Sequence, residues 1–125
     1  MPTVNTTLSA IATIDDGYAE SVGFELSNGS GAALDALEVQ VRVTVDAPWE
    51  TVASAANDFT EAPAGNFPVW ASRDPTTLPV NTNVVIAVVG RHWQSVQLLA
   101  SVASGSTEVE VYFWSPNNAQ LAAEP

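Results

Sequence analysis

Apolar and polar residues alternate with a period of two along much of this chain, a pattern typical of β-strands. The clearest example spans residues 36–46, where every second residue is leucine or valine and the residues between them are mostly polar. The apolar series is Leu37, Val39, Val41, Val43 and Val45. Because successive strand side chains point to opposite sides of a sheet, this segment predicts a strand with one buried face and one solvated face.

The N-terminal region shows the same alternation and predicts a β-hairpin over residues 3–27. Two apolar series, at residues 4–14 and 22–26, flank the Asp-Asp-Gly segment at 15–17. Aspartate and glycine favour tight turns because they tolerate positive φ. The Asn-Gly-Ser-Gly segment at 28–31 predicts the next turn.

Three further alternating segments in the C-terminal half predict strands at residues 83–89, 95–102 and 108–114. Turns are expected between them, at Gly-Arg-His (90–92) and at Ser-Gly-Ser (104–106), because glycine and serine favour turns.

Six or more strands without a strong helical pattern predict an all-β fold, an antiparallel β-sandwich with a jelly roll as a close variant. Pro116 is expected to end the last strand, since proline cannot donate to a sheet ladder. A chain of 125 residues suits one domain. We therefore predict a sandwich domain over residues 1–115 and a C-terminal tail or docking arm over residues 116–125.

Residues 47–80 interrupt the alternation and predict a long, proline-rich aromatic loop. Its prolines are Pro48, Pro63, Pro68, Pro75 and Pro79. Proline disfavours regular central strands, although residues 50–59 could hold a helical turn or a short strand. The loop also carries Trp49, Phe59, Phe67 and Trp70, and rings of this size must either fill the core or contact a partner.

Two more aromatic residues, Tyr112 and Trp114, fall on the polar side of the last predicted strand. Large rings on a solvated face favour contact with a partner, because Trp and Tyr are enriched in protein interfaces. The protein-interface candidates are therefore Trp49, Phe59, Phe67, Trp70, Tyr112 and Trp114. For Trp70, Trp93, Tyr112 and Trp114 the alternatives are packing in the core or loops, and a carbohydrate groove.

The charge balance excludes several classes of partner. The chain has fourteen acidic residues but only three arginines and no lysine, and the formal net charge is -11. Nucleic-acid binding depends on cationic contacts to phosphates, and anionic membrane surfaces repel such a chain, so neither partner is expected. The N-terminus lacks the basic and apolar regions of a signal peptide, and no segment has the unbroken apolar length of a membrane span, which favours assembly in a cytoplasm.

The residues that carry most enzyme chemistry are sparse, and we predict no catalytic residues, no cofactor and no metal. There is no cysteine, which excludes disulfides and thiolate chemistry. The single histidine, His92, is not accompanied by a Gly-x-Ser-x-Gly nucleophile motif. The nearest carboxylate pairs, Asp15 with Asp16 and Glu108 with Glu110, suit a solvated surface better than the paired acids of a glycosidase. No segment has calcium-loop spacing, and a phosphate loop would need a lysine.

Three segments resemble small virion structural proteins of tailed bacteriophages. They are residues 46–60 (Asp-Ala-Pro-Trp-Glu-Thr-Val-Ala-Ser-Ala-Ala-Asn-Asp-Phe-Thr), residues 76–83 (Thr-Thr-Leu-Pro-Val-Asn-Thr-Asn) and residues 90–99. The resemblance covers roughly residues 46–114, and proteins of that class are similarly short, β-rich, poor in lysine and without signal peptides.

The resemblance implies a capsid decoration (cement) protein, which would bind the outer capsid surface and stabilise contacts between capsomers. It also implies the major capsid protein as partner, a homotrimer as the oligomeric state, and the virion surface as location after assembly in the host cytoplasm. It carries over no catalytic residues. A tail or neck structural protein and a carbohydrate-binding module are the alternatives.

Overall fold

The computed structural model describes residues 2–59, 69–115 and 118–121, which form eight β-strands joined by turns and loops. The strands are β1 (Thr3–Val4), β2 (Ser9–Asn28), β3 (Leu34–Arg42), β4 (Glu50–Ala53), β5 (Val69–Ala71), β6 (Asn83–Val102), β7 (Thr107–Ser115) and β8 (Asn118–Leu121). A single 3-10 turn, Ala56–Asp58, lies between β4 and β5 in these ranges. No helix among the described residues is long and apolar enough to cross a membrane.

The strands form two antiparallel sheets that pack against each other, which confirms the predicted all-β sandwich. Sheet I has residues 21–28 of β2 and 83–89 of β6 at its centre, with β7 beside β2 and β5 beside β6. The short strands β1 and β8 pair with β7. Sheet II contains residues 9–15 of β2 and 95–102 of β6, followed by β3 and β4.

β2 and β6 run through both sheets, and here the predicted strands need correction. The turn predicted at residues 15–17 is wrong because β2 continues through it. The turn predicted at residues 90–92 is wrong because β6 is also continuous. Instead of turning, the β2–β6 pair shifts register between Asp15 and Ser21. Such irregularities bend strands and let them pass from one sheet to the other, so the Asp-Asp-Gly segment lies at a corner of the sandwich.

The inward side chains of both sheets form one hydrophobic core. Its largest fully buried residues are Phe24, Ile11, Leu26, Leu37, Leu78, Ile86 and Leu98. The alternation predicts the buried face of β3 correctly as far as Val41. Beyond that point the prediction is wrong, because β3 ends at Arg42 and the chain turns, so that Val43 and Val45 are 50% and 59% exposed.

The segment predicted as a long aromatic loop is partly regular. β4, the 3-10 turn and β5 all lie within residues 47–80, whereas residues 60–68 are outside the described part of the chain. The Asp58 carboxylate accepts hydrogen bonds from the backbone N–H groups of Ser54 and Ala55, both at 3.0 Å. These two bonds stabilise the charged carboxylate and lower the pKa of Asp58. Both short strands pair with strands that the alternation predicts, β4 with β3 and β5 with β6.

One buried asparagine joins three connections at an end of the sandwich. The Nδ2 of Asn28 donates to the backbone oxygens of Ala32 (2.8 Å), Leu78 (3.2 Å) and Pro79 (3.2 Å). Its Oδ1 accepts a hydrogen bond from the hydroxyl of Thr107 at 2.8 Å. Since buried polar groups need such partners, Asn28 fixes these loops relative to one another.

The predicted tail contains β8, which pairs with β7 of the same chain. The division of the chain into residues 1–115 and 116–125 stays a prediction.

Candidate functional site

The outer side of sheet I carries two of the predicted interface residues together. Strand β5 buries Val69 and Ala71, so the half-buried Trp70 between them lies on the outward side. On β7 the buried Val111 and Phe113 flank Tyr112, which is 45% exposed. We call this surface the aromatic face. Its outward residues are Gly23, Glu25, Ser27, Trp70, Asn83, Val85, Ala87, Glu110 and Tyr112.

The register of the strands aligns these residues in rows across sheet I. Trp70 on β5 lies opposite Ala87 on β6, which lies opposite Gly23 on β2. In the next row, Glu25 has Val85 as its partner on one side and Tyr112 on the other. Neighbouring strands lie about 4.8 Å apart and residues advance about 3.4 Å along a strand, so the backbones at Trp70 and Tyr112 are roughly 16 Å apart.

Small residues occupy the centre of the aromatic face. Gly23 has no side chain and Ala87 has only a methyl group, and these two lie side by side on the central strands of sheet I. Gly23 is buried although it lies on the outward parity of β2, which shows that larger neighbours cover it. The centre of the face is therefore covered, and Trp70 and Tyr112 lie on strands to either side of it.

The aromatic face is electrically negative around Tyr112. The hydrogen bond from the Tyr112 hydroxyl to the Glu110 carboxylate, together with the negative charge of Glu110, raises the pKa of Tyr112 above its usual range. Partial burial and the charge of Glu25 act in the same direction. A further acidic residue, the exposed Glu108, follows the same parity on β7.

The outer side of sheet II differs, because its polar side chains bind one another; we call it the interlocked face. A ladder of hydrogen bonds crosses its four strands. The hydroxyl of Thr13 donates to Gln97 (3.5 Å), Gln97 donates to Gln40 (2.7 Å), and Gln40 donates to Thr51 (3.2 Å). Thr51 in turn donates to Glu38 at 3.2 Å. The steps from Thr13 to Thr51 each join register partners on adjacent strands.

A second row of the interlocked face centres on Arg42. Its guanidinium forms a salt bridge with Asp15 at 3.4 Å, and Asp15 also accepts a hydrogen bond from the hydroxyl of Ser95. The guanidinium carbon lies 4.5 Å from the centre of the Trp49 ring, within the range of a cation–π interaction. Arg42 also donates to the backbone oxygen of Val45 at 3.4 Å.

The predicted interface residues thus fall into separate places. The structure brings Trp70 and Tyr112 together on the aromatic face, whereas Trp49 lies on the interlocked face with one side of its ring under Arg42. Phe59 is only 7% exposed and belongs to the core. Phe67 lies outside the described residues, and of Trp114 the structure gives the backbone position, opposite Gly23.

Several residues of these surfaces are absent from the predicted set. Glu25, Gly23 and Ala87 complete the aromatic face, and only the pairing of β2 with β6 and β7 brings them beside Trp70 and Tyr112. Val43 and Val45 are missed because the alternation places them in the core. Just before Pro48 the residues change from types that favour strands to types that favour turns. This change is the one sequence signal that could have revealed the exposure of Val43 and Val45.

One open cleft lies at an end of the sandwich. It has a volume of about 400 Å³ and is lined by Thr3, Gly29, Ser30, Gly31, Ser106, Thr107 and Glu108. A Cβ at Gly31 would come within 2.3 Å of the backbone oxygen of Ser106, so glycine allows the two turns to approach closely. Most of the lining residues are small, and the cleft follows from how the two turns pack at this end of the sandwich.

Metal-binding geometry is not found in residues 2–59, 69–115 and 118–121, where no group of three or more His, Cys, Asp or Glu side chains could hold an ion. His92 lies in β6, and its side chain is outside the description.

Comparison with known proteins identifies no relative of this chain. No family model matches the sequence, no curated protein is significantly similar, and no solved structure matches the fold significantly.

Proposed function

We propose that this chain is a non-enzymatic structural protein that binds other protein surfaces, and specifically a capsid decoration protein of a tailed bacteriophage. The observation that supports it is the aromatic face, where Trp70 and Tyr112 lie accessible on one rigid sheet. Aromatic residues supply much of the binding energy in protein interfaces. The partner would be the major capsid protein, and the location would be the outer surface of the virion.

A decoration protein needs a stable body and an exposed contact surface, and the two sheets divide these tasks. The polar side chains of the interlocked face bind one another across the sheet, which stabilises the sandwich without a partner. The aromatic face leaves ring surface accessible for another protein. A homotrimer at the local three-fold positions of a capsid is the expected assembly, and a tail or neck position would use the same surface.

Co-sedimentation with particles assembled from the major capsid protein of the same genome tests this function. We expect the wild-type chain to sediment with the particles, and Trp70→Ala to weaken binding by at least about tenfold, as for an interface hot spot. Trp49→Ala is the matched control and should bind within about twofold of wild type. Light scattering should show a trimer. A monomer that binds neither these particles nor tails would overturn the proposal.

A carbohydrate-binding module is the second candidate, and the spacing of two rings on a flat sheet face favours it. Sugars stack on flat rings, and carboxylates such as Glu25 accept hydrogen bonds from hydroxyl groups. A glycan array would separate the two functions. Binding to neutral glycans that Trp70→Ala abolishes would support the module, and an array without signal would remove it.

A further inference from the structure

The charges around the aromatic face define the chemistry of its partner more closely, if the proposed protein-binding function holds. Glu25 lies within the face, Glu110 lies beside Tyr112 on β7, and the exposed Glu108 follows at the edge. Among the described residues, Arg42 is on the opposite sheet and is held by Asp15 and Trp49. The exposed Arg73 follows β5 at the margin of the face. The surface is therefore complementary to a positive partner.

The rings restrict which positive group fits best. A guanidinium is planar, is weakly hydrated, stacks on aromatic rings, and forms paired hydrogen bonds with a carboxylate. A lysine ammonium is strongly hydrated and offers a point charge without a stacking surface. The aromatic face has both a carboxylate and a ring in one row, because Glu25 and Tyr112 are register partners on adjacent strands. Trp70 lies one row away, two strands across from Glu25.

The chain itself contains one example of such a contact. On the interlocked face, Arg42 stacks on Trp49 at 4.5 Å and pairs with Asp15 at 3.4 Å. The aromatic face presents the aromatic and acidic halves of the same arrangement, and the described residues within it supply no guanidinium.

We propose that the aromatic face binds arginine side chains of a partner protein, with the guanidinium paired to Glu25 and stacked on Tyr112 or Trp70. Recognition would favour arginine over lysine, and it would weaken as salt concentration rises because part of the attraction is electrostatic.

Titration of the ¹⁵N-labelled chain with short peptides tests this directly. The probes are a six-residue peptide of alternating glycine and arginine, the matching glycine–lysine peptide, and the neutral sugar maltohexaose. We expect the arginine peptide to shift the indole N–H signal of Trp70, assigned with Trp70→Phe. It should bind at least about fivefold more tightly than the lysine peptide.

Two matched glutamate-to-glutamine substitutions supply the controls. Glu25→Gln is isosteric and leaves the core untouched, and it should weaken binding of the arginine peptide by about fivefold or more. Glu50→Gln, at the exposed start of β4 in sheet II, should leave binding unchanged. Equal affinity for the two peptides, equal effects of the two substitutions, or a response only to maltohexaose would each overturn the proposal.

The proposed function and this inference fail separately. If particles still bind the chain but Glu25→Gln and added arginine peptide have no effect, arginine recognition is wrong and the decoration function stands. If the arginine peptide binds as expected but the chain attaches to no virion particle, the surface chemistry is right and the decoration function is wrong.

Discussion

The two outer faces of the sandwich are built on the same strands, β2 and β6, yet they use polar residues in opposite ways. On sheet II the side chains of Thr13, Gln97, Gln40 and Thr51 pair across four strands. On sheet I the corresponding outward positions hold rings, small residues and glutamates. On the first surface these side chains are occupied by hydrogen bonds to one another. The second has accessible rings and the carboxylates of Glu25 and Glu110.

This difference separates stability from binding. A side chain that pairs with its neighbours contributes to folding and has little to gain from a partner, because a new contact must replace an existing one. A half-exposed ring or a solvated carboxylate contributes little to folding and can gain from a partner that covers it. Substitutions on the interlocked face should therefore change stability, and substitutions on the aromatic face should change binding.

The largest effect on stability is expected from Gln97→Ala on the interlocked face. Gln97 is only 9% exposed and joins Thr13 to Gln40, so its loss leaves two side chains without their partner. We expect a loss of about 1–3 kcal/mol in the free energy of unfolding. Urea denaturation measures it. Unchanged stability would mean that the ladder is not a structural element.

Arg42→Ala should have a smaller effect on stability. It removes the salt bridge to Asp15 and the stacking on Trp49, both partly solvent-exposed contacts. The expected cost is about 1 kcal/mol. Arg42→Lys separates the contribution of the salt bridge from that of the stacking, because lysine keeps the charge but stacks less well. If both variants retain full stability in thermal denaturation, the Arg42 row is not structural.

Glu25→Gln should leave folding almost unchanged. The residue is half-buried on the aromatic face, and such surface substitutions usually fall within about 0.5 kcal/mol of wild type. Chemical denaturation should give the same midpoint as wild type. A clear loss of stability would show that the aromatic face, like the interlocked face, is held together by its own side chains.

The smallest effect is spectroscopic and concerns Tyr112. Because Glu110 raises its pKa, Tyr112 should ionise at higher pH than an unperturbed tyrosine, and Glu110→Gln should lower that pH. The unfolded chain loses this proton first as pH rises, so folding stability should decline above the usual tyrosine range. Absorbance at alkaline pH, with Tyr112→Phe as reference, measures the shift. If Tyr112 ionises at the pH of an ordinary tyrosine, its hydroxyl does not interact with the Glu110 carboxylate.

Local alternation was sufficient to predict the sandwich, many of its inward residues such as Leu37, Val39 and Val41, and Tyr112 as an outward ring. It failed at residues 15–17, because aspartate and glycine serve both in turns and at strand irregularities. The same ambiguity applies to Gly90 in β6. The alternation also continues through Val43 and Val45 although β3 ends at Arg42, since parity carries no information about where a strand stops.

The composition of the aromatic face could not be predicted for a different reason. Trp70, Glu25 and Tyr112 come from three distant segments, and only the order β5–β6–β2–β7 makes them neighbours. That order depends on contacts between remote parts of the chain. A pattern read along the chain could identify the rings, but it could not show that Trp70 joins Tyr112 while Trp49 joins Arg42.

The continuity of β2 and β6 has a consequence for how the protein folds. Their partners are far apart in the chain, from Ser9 with Ala100 to Ser27 with Asn83, so the first contacts must close long loops and folding should be slow. Since the same two strands belong to both layers, we expect the two layers to unfold together. Amide hydrogen exchange should accordingly show both halves of β2 and β6 opening with one shared free energy.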